Sequence, residues 1–336
     1  MWRSLAIVMR LRCRRRRWLP FLRDKQGQKD GHLYSCNPFL SETGGDFDII
    51  VVDDASPHPA DLELAQLEPE ERARITVIKQ DNGGPGGARN TGLDHVPAAT
   101  QFVAFLDSDD LWLPDHLDNA HQSLTGFAGD CYWASMQASE EFYYHFSMSR
   151  LEATDGAVRL TQTPLLLEVP DLASAMLRNW SFLHLSCMVI GRNLFESVRF
   201  DPVLRLAAED VLFFCDCILQ SRRSLLCDEA GAMRGMGVNI FHSIDNQSPQ
   251  FLRQQFNTWV ALDRLEARFA QRPADVASIS AYKNTARRQA LWSQAGRVRR
   301  RQAPELGLLA RWAWRDPALL RTLVKLGTDK FGKASA

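Results

Sequence analysis

The chain holds 336 residues with a formal net charge of +0, 45% of them hydrophobic and 24% charged. That length suits one large α/β domain, or one domain with a smaller appendage. Neutrality argues against a dedicated nucleic-acid binder, although basic residues gather at both ends. No apolar segment approaches the roughly 20 residues that span a bilayer, and Ser4 to Met9 is too short for a signal-peptide core. The seven cysteines, Cys13, Cys36, Cys131, Cys187, Cys215, Cys217 and Cys227, show neither a Cys-x-x-Cys pair nor zinc-like spacing. Several sit in apolar runs, where free cysteines pack as small hydrophobes, as in a reducing cytoplasm.

Arg10, Arg12, Arg14 to Arg17 and Arg23 crowd a first segment without clear period. It reads as a basic arm touching anionic lipid or nucleic acid, or as a disordered or misassigned start. From Asp46 the pattern turns regular. Phe47 to Val52 is a β-branched run ending in Asp53 and Asp54, Ala60 to Arg74 has helical composition, and Ile75 to Lys79 is a second strand. Pro85 to His95 reads as a helix with proline in its first turn, followed by the strand Phe102 to Leu106. Such alternation predicts a parallel sheet with right-handed crossovers. Ligands collect at the carboxyl ends of such strands, where both acidic groups fall.

Asp107, Asp109 and Asp110 put three carboxylates within four positions. A buried strand cannot hide that much unpaired charge, so they belong at its open end. They repel one another unless a cation or hydrogen-bond donors compensate, and hard divalent cations prefer such oxygens. The stretch is therefore either a Mg²⁺ or Mn²⁺ site shared with a substrate diphosphate, or a polar strand-to-helix turn with aspartate caps. The glycine-rich stretch from Asp81 to Gly92 offers a second ambiguity. Its glycines would let backbone approach a phosphate at a helix start, but it has neither Walker A nor dinucleotide-fingerprint spacing, and a plain turn fits as well.

Further on, Pro114 to Leu124 reads as a helix, Cys131 to Met136 as a strand, Asp171 to Asn179 as a helix, Cys187 to Ile190 as a buried strand and Asn193 to Val198 as a short helix. Glu209 and Asp210 open an apolar helix, where acids also simply complement the dipole. Gln250 to Arg301 is helical in composition. Leu306 to Phe331 interleaves Trp312, Trp314 and leucines with Arg311, Arg315, Arg321 and Lys325, which suits a membrane surface or a helix packed on its own domain.

Together, Ile49 to Ser56, Asn82 to Gly92, Phe105 to Asp110 and Glu209-Asp210 resemble the family 2 glycosyltransferases, in the family's order and approximate spacing. The resemblance implies a GT-A, Rossmann-like, mostly parallel sheet flanked by helices over 46–245. An atypical basic segment, 1–45, would precede it and a helical extension, 246–336, would follow. It implies an inverting, metal-dependent transfer from a nucleotide-sugar donor to a glycan or lipid-linked acceptor in cell-envelope or exopolysaccharide synthesis. Asp53, Asp54, Arg89, Asn90, Asp107 and Asp109 would bind the nucleotide sugar, and Asp109 and Asp110 the Mg²⁺ or Mn²⁺. Asp210 would be the general base, with Glu209 beside it. His242 matches only weakly as a phosphate or metal contact. The protein would work in the cytoplasm without nucleic acid, touching the inner membrane face through its basic aromatic C-terminal helices.

The departure is at the front, where the family's first strand and its Pro-x-Tyr-Asn-like turn are missing or atypical. The alternative is a truncated or degenerate GT-A protein that binds nucleotide weakly or not at all. Nucleotidyl transfer, which also uses carboxylate-bound metal, is a second enzyme class.

Overall fold

A computed structural model describes residues 5–12, 46–57, 59–137, 147–178, 183–205, 208–234 and 244–332, with backbone alone for 5–12, 46, 63 and 327–332. Two compact units emerge: Met1–Pro202 with Phe213–Val238, and Val203–Leu212 with Asn239–Ala336.

The first unit is built on β1 (Leu5–Arg12), β2 (Asp46–Asp53), β3 (Ile75–Lys79), β4 (Phe102–Asp107), β5 (Leu111–Trp112), β6 (Cys131–Gln137), β7 (Val158–Gln162), β8 (Leu165–Glu168), β9 (Met188–Gly191) and β10 (Ser224–Met233). They form one sheet in the order β3-β2-β1-β4-β9-β6-β10-β8-β7, with β5 paired to β10. The central strands are continuous apolar runs because both faces are covered. In β2, Ile49, Ile50, Val51 and Val52 are all buried, as are Val103 to Leu106 in β4.

The sheet is mixed rather than mostly parallel. Strands β2, β3, β4, β6 and β10 do run one way, as alternation with helices requires, but β1 and β9 run against them, β1 separating β2 from β4 and β9 separating β4 from β6. Reversed β1 is also the answer to the atypical front. It lies between β2 and β4, with Leu5 opposite Asp53 and Ala6 opposite Asp107. The central slot is thus filled, by a strand from the arginine-rich segment running in the opposite sense.

Helices α1 (Ala60–Leu64), α2 (Pro69–Arg72), α3 (Gly84–Asp94), α4 (His116–Gly126), α5 (Met148–Thr154), α6 (Leu172–Arg178) and α7 (Arg192–Ser197) connect the strands. The single helix expected over Ala60 to Arg74 is two, because Pro69 lacks the N–H needed mid-helix and instead starts α2. Next comes α8 (Glu209–Gln220), whose first residues belong to the second unit.

The second unit carries α9 (Pro249–Arg268), α10 (Pro273–Arg299), α11 (Leu306–Arg315) and α12 (Ala318–Gly332). Its core joins Leu252, Phe256, Trp259, Ala290, Trp312 and Leu319. Ser248 caps α9 by accepting from the Phe251 N–H at 3.1 Å. Lys283, 6% exposed, is held by Asp263 at 2.7 Å and Glu266 at 2.6 Å. Among the described residues, no helix is long and apolar enough to cross a membrane.

Candidate functional site

At the carboxyl end of β2 the two aspartates are satisfied by the chain itself. Asp53 Oδ1 accepts from the Ser56 N–H at 2.8 Å and Oδ2 from the Ala60 N–H at 3.1 Å, which pins the start of α1. Asp54 is 0% exposed and takes four donors. Its Oδ1 accepts from Gln80 Nε2 at 2.7 Å and the Gly83 N–H at 2.6 Å, and its Oδ2 from Asn82 Nδ2 at 3.0 Å and the Gly84 N–H at 2.9 Å. The Gly83 and Gly84 amides at this glycine-rich turn are therefore engaged by Asp54. Glycine is required at position 84, where φ is +80°.

The end of β4 is different. The Asp110 N–H donates to the Asp107 carbonyl at 3.0 Å, closing a four-residue turn whose first and last side chains come together. Asp110 is 2% exposed, while Asp109 at the turn's tip faces outward. His184, just before β9, joins the pair. One ligand atom from each of Asp107, Asp110 and His184 lies within 4.8 Å of the others.

Ser186 fixes this cluster. Its hydroxyl donates to Asp110 Oδ2 at 2.6 Å and accepts from the Asp107 N–H at 3.1 Å. Its N–H donates to His184 Nδ1 at 3.3 Å, and its carbonyl accepts from Trp112 Nε1 at 2.6 Å. On the opposite side, Arg89 from α3 donates through Nη2 to Asp107 Oδ1 at 2.8 Å. Burial raises the Asp107 carboxyl, but Arg89, His184 and Arg234 together hold it below the usual carboxylate range. Asp109 goes the other way. Although its surface reaches solvent, the protein packed around it strips part of the carboxyl's water, and this, with repulsion from Asp110 and Asp107, pushes it up to about 6.

Two carboxylates and an imidazole suit a divalent cation, and their spread matches ligand bonds of about 2.0–2.6 Å to one ion. Of the sequence candidates, Asp107 and Asp110 are brought together, and Asp109 lies beside the cluster without joining it. Asn90 is turned away into the chain: its amide donates to the Phe200 carbonyl and accepts from the Phe200 N–H, both at 2.8 Å. His184 and Ser186 were not singled out in the sequence. The only local signal was a His-x-Ser triplet opening a buried strand.

Glu209 and Asp210 are the first two residues of α8, Glu209 7% exposed and Asp210 half-buried, after Ala208 at φ +64°. Asp210 Oδ1 accepts from the Val211 N–H at 2.7 Å. His242 lies outside the described residues.

The glycosyl transferase family 2 model matches residues 35–198, so β1 precedes the matched stretch. The chain is 62% identical over 294 residues to the succinoglycan biosynthesis protein ExoW of Rhizobium meliloti (strain 1021), covering 88% of this chain and 92% of that one. It is 30% identical over 198 residues to the uncharacterized glycosyltransferase alr2836 of Nostoc sp., covering 57% of this chain and 56% of that one. Among solved structures, S. aureus TarS 1-349 in complex with UDP gives a TM-score of 0.43 at 20% identity, over 63% of this chain and 55% of that one.

Proposed function

Because the chain belongs to glycosyl transferase family 2, we propose that it moves a sugar from a nucleotide-diphosphate donor to a hydroxyl of an exopolysaccharide precursor, glycan or lipid-linked. Family membership makes it a glycosyltransferase. The kinship with a succinoglycan biosynthesis protein supports a polysaccharide acceptor. The observation that carries the site is the Asp107, Asp110 and His184 cluster beside Arg89, at a strand's carboxyl end.

In this reading Asp107, Asp110 and His184 would hold Mg²⁺ or Mn²⁺, which would supply neutralisation of the charge developing on the diphosphate leaving group. Asp109, at the exposed tip of the turn, serves the donor's ribose. Asp53 and Asp54 shape the base pocket by ordering the loop to α3 rather than by offering spare lone pairs. Arg89 orients Asp107, and Asn90 locks α3 against the segment at Phe200. Asp210 is the general base and Glu209 its neighbour at the acceptor. The acceptor oxygen bonds to the anomeric carbon as the bond from that carbon to the β-phosphate oxygen breaks, and the hydroxyl proton passes to Asp210. A single in-line displacement inverts the anomeric centre.

Product analysis tests this. A nucleoside diphosphate and a new glycoside of inverted configuration are expected from the matching donor. Release of a sugar 1-phosphate from that donor, or of pyrophosphate when a nucleoside triphosphate and a sugar phosphate are supplied instead, would mean nucleotidyl transfer.

A further inference from the structure

In the second unit the apolar side chains of α11 and α12 divide into two groups. Trp312 and Leu319, 0% and 2% exposed, belong to the core with Phe256 and Trp259. The elbow between the helices is fixed by Asp316, which accepts from Arg287 Nε at 2.6 Å and Nη2 at 3.0 Å in a buried bidentate pair. The other group faces water: Leu306 is 65% exposed, Trp314 89%, Leu320 54%, Leu323 53% and Val324 68%. Single exposed apolar residues are ordinary, but five large ones on one pinned elbow are not.

Their spacing is that of interfacial helices. On α11, Leu306, Ala310 and Trp314 recur every fourth residue, with Arg311 and Arg315 on the adjacent stripe. On α12, Leu320, Leu323 and Val324 share a face flanked by Arg321 and Lys325. From Leu306 to Gly332 the acids are Asp316, 6% exposed against Arg287, and Asp329, set against Arg311, Arg315, Arg321, Lys325 and Lys330. The charge of the elbow is therefore predominantly cationic, and exposed Arg299, Arg300 and Arg301 at the end of α10 add to it.

We propose that the α11–α12 elbow docks on an anionic lipid surface, its exposed Trp314, Leu323 and Val324 entering the interfacial layer while Arg311 and Arg321 meet lipid phosphates. A second copy of the chain would bring the same cations against these and be repelled, whereas anionic headgroups complement them. Docking would hold the enzyme where a lipid-linked acceptor is found. That purpose rests on the reading above, but vesicle binding does not, so either can fail alone.

The test is co-sedimentation of the full chain with phosphatidylcholine vesicles, with and without phosphatidylglycerol, at low and high salt. Binding is expected only with phosphatidylglycerol and is reversed by salt. The double variants Leu323→Asp/Val324→Asp and Arg311→Glu/Arg321→Glu should each lower partitioning by about tenfold or more. Both should melt and bind nucleotide sugar as wild type does, since these side chains lie outside the core. The proposal is overturned if the wild-type chain stays in the supernatant with anionic vesicles, or if the variants sediment equally. It is also overturned if sedimentation velocity reveals a dimer that Leu323→Asp/Val324→Asp dissolves.

Discussion

Arg89 Nη2 sits 2.8 Å from Asp107 Oδ1, and the same guanidinium lies over the Phe200 ring, 5.2 Å from its centroid. Phe200 in turn stacks on Phe213 at 3.8 Å, and both meet Phe105 of β4 edge-on. The cation that restrains Asp107 is thus itself seated on an aromatic cluster. Arg89→Ala should cost about 1.5–3 kcal/mol of stability through the lost charged hydrogen bond and should weaken donor binding. Arg89→Lys should recover only part of each, because an ammonium cannot both stack and donate in the guanidinium's geometry. Denaturant melts with donor titrations check this; a variant as stable and as tight as wild type would contradict it.

His116 predicts an acid weakness. Its ring is 1% exposed and neither nitrogen finds a hydrogen-bond partner among the described residues. It sits between Trp112 and Tyr132, and its space exists because residue 231 is glycine: a Cβ there would come 2.2 Å from Nδ1. Burial depresses its pKa from 6.5 to about 3. The fold therefore holds it neutral, and the unfolded chain binds the proton more readily. Stability from this group is complete above 6.5 and is lost as pH falls towards 3. His116→Leu should flatten the melting-temperature profile across that window. An unchanged acid slope would contradict the assignment.

Asp210→Asn separates catalysis from helix capping. As general base, its loss should lower the transfer rate by about 10²–10⁴-fold with donor binding retained. As a helix-start acid alone, the change costs at most about 1 kcal/mol and leaves turnover intact. Rate and melting temperature on one preparation decide.

What the sequence revealed follows from physics that acts locally. Continuous apolar runs such as Ile49 to Val52 and Val103 to Leu106 declare buried strands, and the acids that end them declare the sheet's functional edge. Less visible was β10, because Asp228 and Glu229 interrupt its apolar pattern. The structure explains them: the register with β6 shifts between Cys227 and Ala230, leaving those two residues outside the ladder. The strand β1 was obscured by surrounding arginines and by its reversed sense, which only pairing reveals. Roles for single residues were hidden longest. Nothing in the spacing of Asp54 shows that it spends both oxygens on its own loop, and His184, 74 positions beyond Asp110, reaches it only through the pairing of β4 with β9.

The central claim is that Asp107, Asp110 and His184 form the metal-dependent donor site. Its most direct test is calorimetric titration of the wild-type chain and of Asp110→Asn and His184→Ala with UDP-, GDP- and dTDP-sugars, with and without Mn²⁺. Mn²⁺ alone should also be titrated. One donor should bind in a Mn²⁺-dependent manner, and both variants should lose that dependence and the Mn²⁺ heat together while remaining folded. Undiminished Mn²⁺-dependent binding in both variants, or no nucleotide sugar bound by the wild-type chain in either condition, would contradict it.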